Sequence, residues 1–160
     1  RDFVNFVEDE LTTSGVDPQN LTLEVTESRL VKDYSVVLDM LTRLRLRRVN
    51  LSIDDFGYRN ASMSDLRNIP ISELKIDGEF VHSAWDNAQL HEIFADSMKM
   101  AKNLGVKTVA EGVESEEDFN YSNRSGCDQA QGYFIGKPMQ AKYLMEWREQ
   151  WLERYSRIAI

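Results

Sequence analysis

Two adjacent carboxylates, Asp54 and Asp55, end a segment in which apolar and polar residues alternate. The alternation over residues 49–53 predicts a strand, and Gly57 supplies the chain reversal after it. The apolar residues that we expect on one face of this strand are Val49, Leu51 and Ile53. Two neighbouring carboxylates repel each other, and a divalent cation with oxygen ligands relieves that repulsion. Taken alone, the pair favours a solvated Asp-Asp turn over a metal site, and the acidic residues at other strand ends reverse that preference.

Polar side chains also mark the ends of other predicted strands. These strands cover residues 21–25, 73–76, 106–110 and 130–135, and the polar residues at or just past their ends are Glu24, Lys75, Glu111 and Gln131. Barrel enzymes assemble their sites at the carboxyl ends of several strands. Five strand ends with polar residues therefore predict a single site in a barrel.

Helices are predicted between and around these strands from apolar residues at helical spacing. They cover residues 3–14 before Gly15, 37–44, 62–68, 90–104 before Gly105, and 116–123, and a terminal helix carries Trp147, Trp151 and Tyr155. Alternating strands and helices predict a largely parallel α/β sheet, either doubly wound or closed into a barrel. No Gly-rich phosphate loop follows a predicted strand, and this disfavours a dinucleotide-binding fold.

Composition limits the class of protein. The sequence has 160 residues, of which 42% are hydrophobic and 29% charged, and its net charge of -8 argues against a nucleic-acid polymer as partner. A single cysteine, Cys127, offers no disulfide framework and favours a reducing compartment. No transmembrane or signal-peptide pattern is found. We therefore expect a globular domain.

Several conspicuous residues are interpreted as structural. The basic run 43–48 complements the dipole at the end of its helix, with a binding patch as the alternative. The stripe of Trp147, Trp151 and Tyr155 is expected to cover the core rather than to form a ligand platform. His82 and His91 are expected to be surface or packing residues.

Five motifs occur in order at compatible spacing. They are Leu23-Glu24-Val25-Thr26-Glu27-Ser28, Asp54-Asp55-Phe56-Gly57, Leu74-Lys75-Ile76-Asp77, Val109-Ala110-Glu111-Gly112-Val113-Glu114, and Gln131-Gly132-Tyr133 with Lys137-Pro138. Together they resemble the EAL-domain family of cyclic di-GMP phosphodiesterases, from near the N-terminus to about Met139. The resemblance implies a bacterial, cytoplasmic domain with a TIM-like (βα)8 barrel. It also implies hydrolysis of cyclic di-GMP to pGpG with two divalent cations, Mg²⁺ or Mn²⁺.

The resemblance also implies roles for individual residues. The metal-binding residues are Glu24, Asp54, Asp55 and Glu111, and the catalytic residues are Lys75, Glu111 and Asp55. The residues that bind substrate or support the site are Glu27, Asp77, Glu114 and Gln131. Lys75 would contact the attacking water and the phosphate, and Glu111 is a candidate to accept the water's proton.

Each assignment has a structural alternative. Lys75 could be an ordinary lysine at a strand end, and Gln131 a hydrogen-bonding turn residue. Glu27 and Glu114 could each stabilise the N-terminus of the helix that follows.

The sequence departs from the family pattern in two places. The strand with the Glu-Ala-Leu signature and the next strand, which usually carries a metal-binding Asn, would lie upstream of Arg1. We therefore expect residues 1–160 to be one domain, an incomplete C-terminal portion of the barrel without a second domain, and do not expect activity from this chain alone. The second departure is the loop Tyr58-Arg59-Asn60-Ala61-Ser62, where the family commonly has Thr-Gly-Tyr-Ser-Ser.

Three functions are weighed on this basis. The first is a metal-dependent phosphodiesterase, the second an impaired domain that acts as a cyclic di-GMP receptor, and the third a protein-interaction module. Similar domains commonly form homodimers and follow a sensory, receiver or cyclase domain in the parent protein, which in some cases is membrane-anchored. The intact Asp54-Asp55 pair and Glu111 favour the phosphodiesterase.

Overall fold

The protein forms a parallel sheet with helices in the connections. The computed structural model describes residues 2–58 and 61–158. Its strands are β1 (Thr22–Thr26), β2 (Asn50–Phe56), β3 (Glu73–Ile76), β4 (Lys107–Ala110) and β5 (Gln129–Ala130). Its helices are α1 (Phe3–Ser14), α2 (Glu27–Lys32), α3 (Tyr34–Leu46), α4 (Met63–Arg67), α5 (Gly78–Val81), α6 (Ala88–Leu104), α7 (Glu116–Arg124) and α8 (Leu144–Ile158).

The sheet is an incomplete TIM-like barrel. Its spatial order is β1-β2-β3-β4-β5, and every neighbouring pair is parallel. In a barrel each strand lies beside the preceding one, whereas the strand order of a doubly wound sheet reverses. Among the described residues, β1 and β5 each pair with one strand only. The prediction of an α/β fold with part of a TIM-like barrel is confirmed.

Local sequence signals place the helix ends. Gly15 and Gly105 have φ of 67° and 69° and end α1 and α6 in the left-handed conformation that glycine adopts most easily. Asn87 caps the start of α6 by accepting hydrogen bonds from two backbone N–H groups. None of the described helices, including the 17-residue α6, is long and apolar enough to cross a membrane.

The core lies between the sheet and the helices. Its strand residues include Leu51, Ile53, Leu74 and Ile76, which are all fully buried. Burial of each such side chain stabilises the fold by about 1.5–3 kcal/mol relative to exposure. In α6, Phe94 is fully buried against this core. The sheet is therefore held rigidly enough to fix the directions of the side chains at its strand ends.

The basic run at the end of α3 makes structural contacts. Arg43 forms an ion pair with Asp2, at the start of α1. Arg47 Nε lies 2.7 Å from Glu8 Oε2, also on α1. The contacts of these two arginines agree with the structural interpretation, because they join α3 to α1.

The aromatic stripe of α8 packs against the rest of the protein. The Trp151 ring lies 5.8 Å from Phe119 and 6.1 Å from Phe134 between centroids. Trp147 Nε1 donates a hydrogen bond to the backbone oxygen of Ile135 at 3.0 Å. These contacts agree with the expected core-covering role.

The structure also differs from the sequence prediction. The strand predicted over residues 130–135 is wrong, because β5 ends at Ala130 and residues 133–135 form a turn. Gly136 N donates to Gly132 O at 3.1 Å across this turn. Two short helices, α2 and α5, were not predicted, since four to six residues are too few to show a helical period.

Candidate active site

Lys75 lies at the centre of a cluster of charges from four neighbouring strands. Its side chain, on β3, is 6% exposed. Its Nζ atom lies 3.0 Å from Glu24 Oε1 on β1, 2.9 Å from Asp54 Oδ1 on β2, and 2.7 Å from Glu111 Oε1 directly after β4. We call these four residues the Lys75 cluster. The structure therefore brings together side chains that are up to 87 residues apart in sequence, from 24 to 111.

A bulge in β2 explains how two adjacent aspartates reach one edge of the sheet. Between Ile53 and Phe56 the register of β2 against β3 shifts. Asp54 and Asp55 therefore lie opposite a single residue of β3, Lys75, as in a β-bulge. Asp55 has a φ of 54°, in the left-handed region that residues other than glycine seldom occupy. In a regular strand the two side chains would point to opposite faces.

Three carboxylates of the site could hold a metal ion. Asp54, Asp55 and Glu111 each offer one oxygen, and these oxygens lie within 4.8 Å of one another. Carboxylate oxygens are the ligands that hard divalent cations such as Mg²⁺ and Mn²⁺ prefer. The donor set therefore fits a divalent cation. Glu24, on the neighbouring strand β1, also contacts Lys75.

Crowding of charges shifts the pKa values of the site. Burial raises the pKa of Glu111, the ammonium of Lys75 opposes that rise in part, and Asp54 adds to it. Loss of solvent also raises the pKa of Asp55, with further contributions from Asp54 and Asp77. Burial alone would lower the pKa of Lys75, but its ion pairs hold this pKa above the ordinary value. Lys75 thus carries one positive charge among several carboxylates, and the remaining negative charge attracts cations.

Glu27 connects the first strand to the loop after β2. Its side chain lies at the start of α2, directly after β1, and the residue is 1% exposed. Its Oε1 accepts a hydrogen bond from the backbone N–H of Ala61 at 2.7 Å. A buried carboxylate needs such a partner, so this contact restrains the loop that follows Asp54 and Asp55. Arg59 and Asn60, where that loop diverges from the family pattern, lie outside the described residues.

The other three predicted supporting residues lie around the cluster. Asp77 Oδ1 accepts from the Glu79 N–H at 2.7 Å, and its carboxyl group is near enough to Asp55 to raise the pKa of Asp55. Glu114 and Gln131 have exposed side chains. Within residues 2–58 and 61–158, neither side chain forms a hydrogen bond or ion pair with the Lys75 cluster. The structure therefore places Asp77 beside the site and the other two at its periphery.

Two glycines next to the cluster allow the backbones after β3 and β4 to touch. A Cβ atom on Gly112, which has a φ of 59°, would lie only 2.9 Å from the Cα atom of Gly78. This contact lies just beyond Lys75 and Glu111 in their respective chain segments. Sequence reasoning did not single out either glycine, although glycine at the end of a strand is a signal for close backbone approach.

Asp118 is a further residue that the sequence interpretation missed. It is fully buried, and its Oδ1 accepts from the Ser83 N–H at 3.0 Å. Its Oδ2 accepts from the Ser115 N–H at 3.2 Å and lies 3.1 Å from His82 Nδ1. Ser115 and Asp118 form a capping box at the start of α7, and the spacing of these two residues was a signal for it. Asp118 thereby joins the loop after β4 to the segment after α5.

The fold and the geometry of the strand ends define the class of the protein. It is a TIM-like barrel domain with an acidic, lysine-centred site suited to divalent cations. The sequence profile of the EAL domain matches residues 1–138, and the chain belongs to the EAL-domain family. The resemblance inferred from the five motifs is therefore confirmed.

Relatives of known description share the sequence and the fold. The bifunctional diguanylate cyclase/cyclic di-GMP phosphodiesterase MucR of Pseudomonas aeruginosa is 37% identical over 142 residues, which are 89% of this chain and 21% of that protein. The solved c-di-GMP complex of PaMucR phosphodiesterase has a TM-score of 0.84 at 37% identity, covering 88% of this chain and 57% of that one. A manganese/cy-diGMP complex of Klebsiella pneumoniae BlrP1 has a TM-score of 0.79 at 29% identity, and the match covers 86% of this chain and 35% of the BlrP1 chain. The chain thus spans about a fifth of the length of the curated relatives, 17% and 21% for two of them.

Proposed function

We propose that the protein hydrolyses cyclic di-GMP to pGpG with two divalent cations, Mg²⁺ or Mn²⁺, at the Lys75 cluster. The observation that carries this proposal is the convergence of Glu24, Asp54 and Glu111 on Lys75 at the strand ends of an EAL-family barrel. The names of MucR and of the BlrP1 complex supply the substrate class, and the BlrP1 complex supplies manganese as a metal of the right chemistry.

The reaction adds water across one phosphodiester bond. A bond forms between phosphorus and the water oxygen, the bond from phosphorus to one sugar oxygen breaks, and that oxygen leaves with a proton. Divalent cations, when bound, would neutralise the phosphate oxygens and lower the pKa of a water molecule. Asp54, Asp55, Glu24 and Glu111 would hold those cations.

Lys75 contributes a fixed positive charge beside the reacting phosphate. Its pKa lies above the ordinary value of lysine, so the ammonium group stays protonated at neutral pH and does not act as a base. An ammonium that is already held by three carboxylates needs little reorganisation to stabilise negative charge that develops on phosphate oxygens. Glu111 is the carboxylate closest to Lys75, and its raised pKa suits a group that accepts a proton from water.

The supporting residues act on the backbone around the site. We assign Glu27 to the loop after β2 through its hydrogen bond to Ala61, and Asp77 to the start of α5. Glu114 and Gln131 are assigned to the rim of the substrate site, since both are exposed next to strand ends. These roles are secondary to the charge chemistry of the Lys75 cluster.

The test is chromatography of cyclic di-GMP incubated with Mn²⁺ and the full-length protein. We expect pGpG to form, and Glu111→Gln to lower kcat by about 100-fold or more, because the amide neither binds a cation well nor accepts a proton. The matched control is Glu73→Gln, since Glu73 lies at the amino end of β3, two residues before Lys75, and forms no ion pair with Lys75 among the described contacts. We expect this control to retain activity within about twofold.

Each result separates the candidate functions. Formation of pGpG that depends on Glu111 but not on Glu73 supports the phosphodiesterase. Cyclic di-GMP binding without pGpG, measured by calorimetry on the same folded protein, would replace it with the receptor function. If neither binding nor hydrolysis occurs, the remaining hypothesis is a protein-interaction module.

We further propose that residues 1–160 belong to one domain of a larger cytoplasmic signalling protein that forms homodimers. The lengths of MucR and of the oxygen sensor protein DosP of Escherichia coli, each much longer than the region matched, support the larger protein, whereas the cytoplasmic location and the homodimer follow from the family resemblance alone. Size-exclusion chromatography with light scattering of the full-length protein tests the dimer.

A further inference from the structure

The loop after β2 is attached to α5 by an exposed tyrosine. The Tyr58 hydroxyl group donates a hydrogen bond to Glu79 Oε2 at 2.7 Å. The Tyr58 ring packs edge-on against Phe80, with 4.8 Å between the ring centroids. Tyr58 is nevertheless 49% exposed, so a role in the core does not explain these contacts.

The neighbouring backbone adds a second point of attachment. A Cβ atom on Gly57 would lie 2.3 Å from the Phe80 ring, so the chain at Gly57 lies directly against that ring. The Tyr58 hydroxyl is protonated at neutral pH like that of any tyrosine, and its hydrogen bond to Glu79 raises the pKa of Tyr58 further, to about 12. We call the contacts of Gly57 and Tyr58 with Glu79 and Phe80 the Tyr58 latch.

The Tyr58 latch lies next to the strained residue of the site. Asp55, three residues before Tyr58, has a φ of 54° within the bulge of β2. A non-glycine residue keeps such a conformation only when its surroundings hold it there. Glu27 holds the far side of the loop through Ala61, whereas the Tyr58 latch holds the side nearer to Asp55.

The partner side of the latch is also linked to Asp55. Glu79 and Phe80 belong to α5, which Asp77 caps by accepting a hydrogen bond from the Glu79 N–H. Asp77 is in turn joined to the residue after Asp55, because its backbone N–H donates a hydrogen bond to Phe56 O at 3.1 Å. Displacement of the Gly57–Tyr58 backbone from α5 would thus change the distance between Asp55 and the rest of the acidic site.

We propose that Tyr58 and Glu79 are positioning residues that keep the Asp55 carboxylate directed at the metal site by fastening the loop after β2 to α5. Without the latch, Asp55 relaxes towards the extended conformation, and its carboxylate turns away from Asp54 and Glu111. This inference rests on the proposed metal-dependent function.

The test measures Mn²⁺ affinity directly, by the electron paramagnetic resonance signal of free Mn²⁺ during titration of the full-length protein. We expect Tyr58→Phe, which removes only the hydroxyl, to weaken binding by about fivefold. Glu79→Leu should weaken Mn²⁺ binding similarly. Glu79→Gln keeps a hydrogen-bond acceptor and should retain most of the wild-type affinity. The double variant Tyr58→Phe/Glu79→Leu should be no weaker than either single variant, since both remove one contact.

The controls separate positioning from general loss of stability. Tyr143→Phe alters a tyrosine of almost equal exposure, 48%, on the turn before α8, and should leave Mn²⁺ affinity unchanged. Thermal unfolding in EDTA should change little for Tyr58→Phe, because the ring contact with Phe80 remains. A latch that only stabilised the fold would shift the unfolding temperature and not the affinity.

The outcomes distinguish this inference from the proposed function. If the wild-type protein binds no Mn²⁺, the proposed function fails. If the wild type binds Mn²⁺ and Tyr58→Phe binds it equally well, or if the two single effects add in the double variant, the positioning role is wrong and the phosphodiesterase proposal stands.

Discussion

Lys75 is the residue on which the charge balance of the site depends. Its Nζ atom lies within 3.0 Å of oxygens from three carboxylates, which belong to different segments of the chain. These carboxylates stay partly hydrated, with side-chain exposures of 44% for Glu24, 24% for Asp54 and 17% for Glu111. Lys75 therefore offsets part of the negative charge of these three carboxylates and so stabilises the fold. The negative charge that it leaves uncompensated can attract a cation.

Substitution of Lys75 tests this double role. For Lys75→Met, we expect the free energy of unfolding in EDTA to fall by roughly 1–3 kcal/mol, because three carboxylates lose their partner. The partial exposure of the carboxylates keeps this value below that of a fully buried ion pair. Added Mn²⁺ should raise the melting temperature of the variant more than that of the wild type, since it replaces the missing positive charge.

The comparison for that experiment is Lys107→Met. Lys107 is exposed at the amino end of β4, away from the strand-end site, and its substitution should change stability by less than about 0.5 kcal/mol. Equal stability of Lys75→Met and wild type in EDTA would show that the carboxylates do not depend on Lys75.

At the scale of secondary structure, short-range devices set the directions of the site residues. The bulge in β2 directs Asp54 and Asp55 to one edge of the sheet. The capping box of α7 fixes the loop that begins with Glu111, because Asp118 accepts hydrogen bonds from the Glu114 and Ser115 N–H groups. The bulge and the capping box thus determine the directions of the side chains at these strand ends.

Asp118→Asn tests whether the Asp118 carboxylate, which joins the loop after β4 to the segment after α5, stabilises the fold in a pH-dependent way. Burial alone raises the pKa of Asp118, but hydrogen bonds from Ser83, Ser115 and His82 outweigh burial and hold this pKa below the ordinary value of 3.8. A lowered folded-state pKa contributes stability above the unfolded-state pKa, and this contribution is lost as the pH falls through the folded-state value. We expect Asp118→Asn to cost roughly 1–3 kcal/mol at pH 7.

The measurement is urea unfolding of wild type and variant from pH 7 down to about pH 3. The difference between the two should shrink below about pH 4, where the unfolded aspartate takes up a proton. Asp86→Asn, an exposed aspartate in the turn before α6, serves as the control and should show no such difference. A difference that is constant over the whole pH range would mean that the charge of Asp118 does not contribute.

At the scale of the whole molecule, the proposed metal site predicts that ligand binding and folding are coupled through the barrel. The site is assembled from four neighbouring strands, so under the proposed function we expect the native sheet to bind a cation far better than the unfolded chain does. A ligand at 100 times its Kd stabilises the native state by about 2.7 kcal/mol. Metal binding is therefore measurable as stability even without turnover.

We accordingly expect Mn²⁺ to raise the melting temperature of the full-length protein and EDTA to reverse the rise. Cyclic di-GMP should add a further rise in the presence of the metal. Glu111→Gln should reduce the metal-dependent rise, because one of three converging oxygen ligands is weakened. The same shift in wild type and Glu111→Gln, measured by scanning calorimetry, would place the metal elsewhere.

The sequence by itself determined the class of fold and the residue types of the site. The strand at residues 73–76 and the helix ending at Gly105 were predicted correctly, because regular alternation and glycine caps are local signals. The motifs around Glu24, Lys75 and Glu111 were sufficient for the family. The strand predicted over residues 130–135 failed because apolar residues in a turn resemble a strand when the tertiary contacts are unknown.

Only the tertiary structure decided how the side chains combine. The ion pairs of Lys75 and the contact between Gly78 and Gly112 depend on neighbouring strands that are distant in sequence. The left-handed conformation of Asp55 depends on pairing between β2 and β3, which no local pattern encodes. The physical reason is that residue types and periodicity are properties of short segments, whereas distances, burial and pKa shifts arise from segments that meet only in the folded protein.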